Sequence, residues 1–339
     1  MADDLQQRWR RETAGARYLT AEDPRQLQEY LAASSFLIPE ERVLSTEVAG
    51  EGNMNVTLRV TTNRRQFIVK QSRPWVARFP VLDAPIERIM VERGFYHATR
   101  GDHFLAGHMP ELLRADPDHY VLVLEDLGLA NDLSTVYQEG EGFTRRQLAT
   151  LLRFAGRLHA LKVDDFVDNR PLKTLNHAHI FDLPFRPDNG FPLDAIYPGL
   201  AEVARPLQHD ARLREAAGKL GEIYLADGPT LLHGDFYPGS FLNAEERIYV
   251  IDTEFAHLGR AEYDIGVLMA HLLLSRTPPK RIRQLETDYA KPPGYDTELA
   301  RRFSYVEIIR RLIGIAQLQV SLTLDERRQL LERARSALI

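Results

Sequence analysis

Apolar and polar positions alternate in the first third of the chain in a way that predicts β-strands. The stretch "NVTLRV" at 55–60 alternates, and "FIVK" at 67–70 is a short apolar run that ends in a lysine. A third β-rich run, "YVLVL" at 120–124, stops at two acidic residues. Before the first strand, Gly50 and Gly52 of "AGEGNMN" favour a tight turn with few side chains.

After Gly128 the spacing of apolar positions becomes helical. Thr144 and Gln147 form a capping-box pair ahead of an apolar stripe, which predicts a helix. Residues 171–198 are rich in Pro, Asn and Asp, and we interpret them as a long ordered loop. Further helices are predicted from Pro85 onward and over 261–276, 297–320 and 324–338, the last with a capping box of Thr323 and Glu326.

The change of pattern divides the chain into two lobes. A length of 339 residues favours two domains over one. We therefore predict an α+β protein with a small β-rich lobe over 1–124, which includes an N-terminal helical extension, and a larger, mainly helical lobe over 125–339.

Composition excludes several classes of function. The net charge of −5 offers no basic surface for nucleic acid, and the absence of cysteine excludes thiolate chemistry and disulfides. The N-terminus lacks the apolar segment of a signal peptide, and the longest apolar stretch is too short to span a bilayer. We expect a cytoplasmic protein with no membrane or nucleic-acid partner.

The segment "LLHGDFYPGSFLNAEERIYVIDTEF" at 231–255 carries the chemistry. A carboxylate near the core is costly unless a cation or a donor meets it. Asp252 and Glu254 stand at positions i and i+2 of a predicted strand, so they share a face and can converge on a hard cation such as Mg²⁺. Asp235 could orient an acceptor hydroxyl and take its proton, and Ser240 could add a neutral oxygen ligand.

The spacing H-G-D-x-x-x-x-S matches that of a protein-kinase catalytic loop, in which an Asp precedes the metal-side polar residue by five positions. The alternative is an ordinary turn at Gly234 and Asp235. The N-terminal lobe supports the kinase interpretation, because phosphoryl transfer needs a backbone-lined cover and a positive charge on the donor phosphates. "GEGNMN" fits the cover, and Lys70 with Glu92 as its acidic partner fits the charge.

The segment "LVLEDLG" fits either an adenine-binding hinge between the lobes or an acidic turn after a core strand. The predicted ATP-binding residues are Gly50, Gly52, Asn53, Asn55, Lys70, Glu92, Glu125 and Leu127.

The block "HGDFYPGSFL…YVIDTEF…YDIG" resembles the aminoglycoside phosphotransferase and choline kinase superfamily, which has a protein-kinase-like bilobal fold. Ser240 together with the Asp-x-Glu motif is similar to the methylthioribose kinases. The resemblance implies that Asp235 is the catalytic base, that Asp252 and Glu254 bind Mg²⁺, and that the hinge interpretation of "LVLEDLG" holds. It also implies that His233 and Asp264 brace the catalytic loop.

The helical stretch "EIIRRLIGIAQ" provides candidates for substrate binding. Arg310 and Arg311 are neighbours in an apolar context, so both cannot face solvent equally. A paired arginine in a similar context serves the active site of methylthioribose kinases; the alternative is a structural ion pair. The two histidines of "LNHAHIF" are expected to form hydrogen bonds in a loop, and His159 is expected to be a satisfied core histidine.

The chain also departs from these relatives. It reads "ARFPVLDAP" where they usually carry a Trp-containing loop, and "DFYPGS" where "DLHTGS" is more usual. These changes leave the expected chemistry intact, but they do not support a prediction of the exact sugar.

The favoured hypothesis is an ATP- and Mg²⁺-dependent kinase that phosphorylates 5-methylthioribose or a related sugar on its anomeric hydroxyl, with a homodimer suggested by family likeness. One alternative is an aminoglycoside or amino-alcohol (choline-like) kinase, although the helical lobe shows no dense acidic run to meet a polycation. The other is a catalytically silent nucleotide-binding module, which usually lacks the base or a metal carboxylate.

Overall fold

The computed structural model describes residues 2–50, 52, 54–245 and 247–339. The chain forms two compact units that divide after Leu129. Within the described residues, no helix is both long enough and apolar enough to cross a membrane.

The first unit is built on a five-stranded antiparallel sheet. Its strands are, in spatial order, β1 Val43–Val48, β2 Val56–Thr62, β3 Gln66–Gln71, β7 Val121–Glu125 and β6 Leu112–Asp116. The predicted strands at 55–60, 67–70 and 120–124 correspond to β2, β3 and β7. The elements are α1 Ala2–Glu12, α2 Pro24–Ala33, β1 Val43–Val48, β2 Val56–Thr62, β3 Gln66–Gln71, β4 Trp75–Val76, β5 Phe79–Asp83, α3 Arg88–Thr99, α4 His103–Ala106, β6 Leu112–Asp116 and β7 Val121–Glu125.

One face of this sheet forms the core of the unit with α2. Leu27 and Leu31 of the helix are buried against Leu58 and Val69 of the strands. Side chains alternate along a strand, so Lys70 points to the opposite face of the sheet from Val69. The hydrophobic pattern of β3 thereby places the lysine away from the α2 core.

The helix predicted from Pro85 is present but begins at Arg88. The backbone just before it forms a turn, in which Met90 donates its N–H to the carbonyl of Glu87. The Ser72 hydroxyl donates to the carbonyl of Ile86 at 2.6 Å, which holds this turn against the end of β3.

The second unit is mainly helical, and both predicted capping boxes are confirmed, at Thr144 with Gln147 and at Thr323 with Glu326. The helix predicted over 297–320 ends at Ile313, because Gly314 is extended and lies too close to the Arg310 carbonyl for a side chain. The elements are β8 Asn131–Asp132, α5 Arg145–His159, α6 Arg170–His177, α7 Leu193–Ile196, α8 Leu200–Gln208, α9 Ala211–Leu225, β9 Thr230–Leu232, β10 Phe241–Ala244, β11 Arg247–Val250, β12 His257–Gly259, α10 Glu262–Leu274, α11 Pro279–Asp288, α12 Thr297–Ile313 and α13 Leu324–Leu338.

The interpretation of residues 171–198 as a loop is wrong. The segment contains most of α6, a π-helical turn at Ala178–Asp182, a 3₁₀ turn at Leu183–Phe185 and the short helix α7. Its proline content suggests a loop, but two of the prolines stand in the first turn of a helical segment, where a proline sacrifices no hydrogen bond.

Short strands hold the predicted catalytic segment in place. β9 pairs with β12, and β10 pairs with β11 and β8, all antiparallel. The loop "HGDFYPGS" connects β9 to β10. The prediction that Asp252 and Glu254 lie on a strand is wrong: β11 ends at Val250, Asp252 takes the left-handed conformation with φ of +60°, and Glu254 lies in a 3₁₀ turn.

Candidate active site

The backbone of the "HGD" loop is fixed by a buried carboxylate from α10. Asp264 accepts hydrogen bonds from the N–H groups of His233, at 2.8 Å, and Gly234, at 3.0 Å. Burial alone would raise the pKa of Asp264, but the hydrogen bond from His159 and the donors of the loop lower it below the ordinary value. His233 Nε2 lies 2.9 Å from the carbonyl of Ile251. His233 and Asp264 thus brace the loop, as the sequence predicts.

Gly234 within the loop and His159 on helix α5 also support this arrangement. Gly234 has φ of +84°, and a Cβ at this position would lie 2.1 Å from the carbonyl oxygen of Phe255, so glycine is required. His159 is buried, with Nδ1 at 2.6 Å from the Tyr289 hydroxyl and Nε2 at 3.2 Å from Asp264. The expectation of a satisfied core histidine is confirmed.

Asp235 follows directly and keeps 19% of its side chain exposed. Its Oδ1 accepts a hydrogen bond from Arg311 Nη2 at 3.3 Å. Desolvation raises the pKa of Asp235, while Arg311 and Arg310 act in the opposite direction. The carboxylate is therefore partly shielded from water and already oriented by a cation.

Ser240 belongs to this loop, and the segment that carries Asp252 and Glu254 contacts it where the Ile251 carbonyl meets His233. The Ser240 hydroxyl donates to the backbone carbonyl of Asp235 at 2.9 Å, which leaves its lone pairs for another partner. Glu254 is buried, and the Asn169 amide holds its backbone carbonyl at 2.9 Å. Among the described residues no three His, Asp or Glu side chains cluster as metal ligands.

The donor set of Asp252, Glu254 and Ser240 nevertheless fits Mg²⁺. Its chemistry is that of hard oxygen ligands, and Mg²⁺ is commonly held by one or two carboxylates and completed by waters and substrate phosphates. A group of three or more acidic ligands is not required for this ion.

The neighbouring arginines of α12 share one buried carboxylate, Glu307, one turn earlier on the same helix. Arg310 Nη1 lies 3.2 and 3.1 Å from its two oxygens, and Arg311 Nε lies 2.5 Å from Oε1. Burial alone would raise the pKa of Glu307, but the two guanidinium groups hold it well below the ordinary value. The structural ion pair that the sequence leaves open is present, and Arg311 also contacts Asp235, the predicted base.

Four residues around Arg311 were missed by the sequence analysis: Glu307, His271, Tyr137 and Tyr237. The Arg311 guanidinium lies over the Tyr237 ring at 4.4 Å. Only Glu307 had a usable signal, since an acid three and four residues before two arginines in an apolar helix implies i,i+3 and i,i+4 pairs.

The first unit brings together the predicted Lys70 and Glu92. Lys70 Nζ lies 2.7 Å from Glu92 Oε2, and both side chains are buried. One turn earlier on α3, Arg88 donates to the carbonyl of Met54 at 2.6 Å, at the end of the glycine-containing turn. The same helix therefore contacts both predicted phosphate-binding elements, and sequence reasoning missed Arg88.

The remaining predicted nucleotide-binding residues lie in the glycine-containing segment and at the end of β7. Gly50 has φ of +71°, Asn55 is buried, and a Cβ on Gly52 would lie 3.5 Å from the carbonyl oxygen of Asn55. Asn53 lies outside the described residues. Glu125 donates its N–H to the carbonyl of Glu111 at 2.9 Å, and Leu127 follows β7.

The chain is similar to known proteins in sequence and in fold. Residues 46–300 match the model of the phosphotransferase enzyme family. The methylthioribose kinase of Exiguobacterium sibiricum is 27% identical, with 89% of this chain and 87% of that protein aligned. The methylthioribose kinase of Erwinia tasmaniensis is 28% identical, with 82% of each chain aligned. Among solved structures, the choline kinase LicA of Streptococcus pneumoniae in complex with AMP is 17% identical, with 94% of this chain and 99% of that chain covered and a TM-score of 0.53.

The chain belongs to the phosphotransferase enzyme family. The predicted α+β, protein-kinase-like fold and the resemblance to aminoglycoside phosphotransferases, choline kinases and methylthioribose kinases are confirmed. Within that family it is a small-molecule kinase, a phosphotransferase with an alcohol group as acceptor.

Proposed function

We propose that this protein transfers the γ-phosphoryl group of ATP to a hydroxyl of 5-methylthioribose or a related sugar, with Mg²⁺ as cofactor. The observation that carries the proposal is the state of Asp235. Arg311 occupies Oδ1, and among the described residues no hydrogen bond reaches Oδ2. That oxygen is available to orient an acceptor hydroxyl and take its proton.

On the nucleotide side, the proposal rests on Lys70. Its ammonium group is fixed by Glu92 at 2.7 Å, the ion-pair arrangement by which kinases place a cation on the donor phosphates. The solved choline kinase to which the chain is similar in fold was crystallised with AMP. The residues proposed to contact ATP are those that the sequence predicts, with Lys70 as the phosphate ligand.

Asp252, Glu254 and Ser240 are the residues proposed to hold Mg²⁺. The ion would supply positive charge at the phosphates as negative charge shifts during transfer. The protein's own part is to hold these oxygens in place, and for Ser240 the bond to the Asp235 carbonyl does so at 2.9 Å.

The proposed acceptor follows from the relatives and from Arg310. Several relatives that align over most of the chain are methylthioribose kinases. Arg310 is anchored to Glu307 by Nη1 alone, and among the described residues its buried Nε has no partner. A guanidinium that is held at one corner, with donors left over, is suited to bind the hydroxyls of a sugar.

The proposal is tested by ADP release with ATP and Mg²⁺ across methylthioribose, ribose, other pentoses, aminoglycosides and choline. We expect the highest kcat/KM with methylthioribose or a pentose. A preference for aminoglycosides or choline would replace the proposed acceptor by the antibiotic or amino-alcohol alternative. Nucleotide binding without turnover on any acceptor would favour a silent module.

Arg310→Ala should raise the KM for the acceptor by about 10-fold or more, because a lost charged hydrogen bond costs about 1.5–3 kcal/mol. The KM for ATP should stay within about twofold of wild type. Steady-state kinetics with each substrate varied in turn measure both values. An unchanged acceptor KM would show that Arg310 does not bind the acceptor and serves only its ion pair with Glu307.

Asp252→Asn should increase the Mg²⁺ concentration needed for half-maximal activity, because one hard anionic ligand is lost. EDTA should abolish turnover of the wild type, and added Mg²⁺ should restore it. Titration of activity with Mg²⁺ at fixed ATP measures the shift. If the variant responds to Mg²⁺ like wild type, Asp252 is not a ligand.

A further inference from the structure

A chain of buried polar groups lies behind Arg311. The Tyr137 hydroxyl is 2.7 Å from His271 Nδ1, and His271 Nε2 is 3.3 Å from Glu307 Oε1. The same Oε1 is 2.5 Å from Arg311 Nε. All four residues are buried, and they come from three places in the sequence: the turn before α5, helix α10 and helix α12.

His271 contributes an oriented N–H group to this chain of contacts, and not a charge. Burial lowers the pKa of His271 to about 4, so the ring is neutral at pH 7 and carries one N–H. A tyrosine hydroxyl that donates to Nδ1 places this N–H on Nε2, facing Glu307. The charges balance without the ring, since Glu307 and Asp235 offset Arg310 and Arg311.

Arg311 is held from the other side as well. Its guanidinium lies over the Tyr237 ring at 4.4 Å, and the Tyr237 ring centroid is 5.4 Å from that of His271. Nε is held by Glu307, Nη1 donates to the carbonyl of Ala316 at 3.4 Å, and Nη2 is the donor that reaches Asp235 Oδ1. Glu307 Oε1 is therefore one of the groups that set the position of that contact.

We infer that His271 and Tyr137 are positioning residues for phosphoryl transfer: they fix Glu307 Oε1, which fixes Arg311, which orients the Asp235 carboxylate. The inference rests on the proposed role of Asp235 and deepens it. It also separates the neighbouring arginines, with Arg311 acting on the aspartate and Arg310 on the acceptor.

The kinetic test compares His271→Leu, His271→Gln and Tyr137→Phe. His271→Leu should lower kcat by about 10-fold, since a 1 Å misplacement can cost about 10²-fold. The KM values for ATP and acceptor should stay within about twofold. His271→Gln should recover most of the loss, because its amide again presents an N–H to Glu307. Tyr137→Phe, which removes only a hydroxyl, should show a smaller loss of kcat in the same sense.

Ile308→Val is the matched control. Ile308 is buried beside Glu307 on α12 but makes no polar contact, so this variant reports the cost of disturbing the helix without touching the polar chain. Its kcat should equal that of wild type. If Ile308→Val lowers kcat as much as His271→Leu does, the effect belongs to packing and the inference fails.

A second readout does not depend on turnover. The Arg311 Nε–H, assigned in ¹H–¹⁵N spectra by its loss in Arg311→Lys, should exchange slowly with solvent in wild type and faster in His271→Leu. Wild-type kcat with a still-protected Nε–H in His271→Leu would overturn the inference. If Asp235→Asn is inactive while both His271 variants turn over normally, only this inference fails; if Asp235→Asn turns over normally, the proposed function itself fails.

Discussion

Asp235→Asn should lower kcat by about 10²- to 10⁴-fold, the range that a positioned general base contributes. The asparagine side chain has nearly the same shape and can still accept a hydrogen bond from Arg311 Nη2, which now lies 3.3 Å from Oδ1. What it cannot do is take a proton from the acceptor. Alanine would be a less informative replacement, because it would leave Arg311 Nη2 without its acceptor and could move the arginine as well.

The measurement is kcat by ADP release, together with nucleotide affinity by calorimetry, which should not change. Asp227→Asn is the matched control: this aspartate is in the same unit, is 71% exposed, and among the described residues pairs only with Arg170 and Lys173. It should turn over like wild type. Turnover by Asp235→Asn within a few-fold of wild type would remove the aspartate from the role of base.

The parts of this fold that the sequence predicts well have short-range causes. A capping box requires two residues three positions apart, and both were present at Thr144 and Thr323. The bracing of the "HGD" loop by Asp264 is a long-range contact, and it could be anticipated only through the resemblance to a known family. Strands β2, β3 and β7 were visible because one face of the sheet is buried against α2.

The errors arose where a local rule was applied outside its conditions. Alternation predicts a shared face for Asp252 and Glu254 only if the strand continues, and the left-handed backbone at Asp252 ends it. Proline disrupts the interior of a helix but is tolerated in its first turn. Pro171 and Pro184 stand in such first turns.

The chain of contacts behind Arg311 could not be predicted, for a different reason. Tyr137, His271 and Glu307 are separated by 134 and 36 positions, and the two helical members sit in apolar stretches that carry no polar pattern. Such contacts depend on how helices α10 and α12 pack, which is a property of the whole unit.

Glu307→Gln should lower the free energy of unfolding by about 3–5 kcal/mol at pH 7, the usual cost of removing one partner from a buried ion pair. Glutamine keeps the shape and the hydrogen-bond acceptor but removes the charge that faces Arg310 and Arg311. Asp235 would then be the one carboxylate left in contact with the pair among the described residues. Urea denaturation of both proteins measures the difference.

The difference should also depend on pH. Because the pKa of folded Glu307 lies well below the ordinary value near 4.3, its charge stabilises the fold above the unfolded-state pKa, and this stabilisation is lost as pH falls through the folded value. The difference in the free energy of unfolding between wild type and Glu307→Gln should therefore be full at pH 7 and become smaller below about pH 4.

Glu215→Gln is the control, because it changes the same residue type on a helix. Glu215 pairs with Lys219 at the surface, and its loss should leave stability unchanged at either pH. A Glu307→Gln protein as stable as wild type at pH 7 would show that the two arginines need no buried carboxylate. It would also contradict the role of Glu307 in holding Arg311 in position.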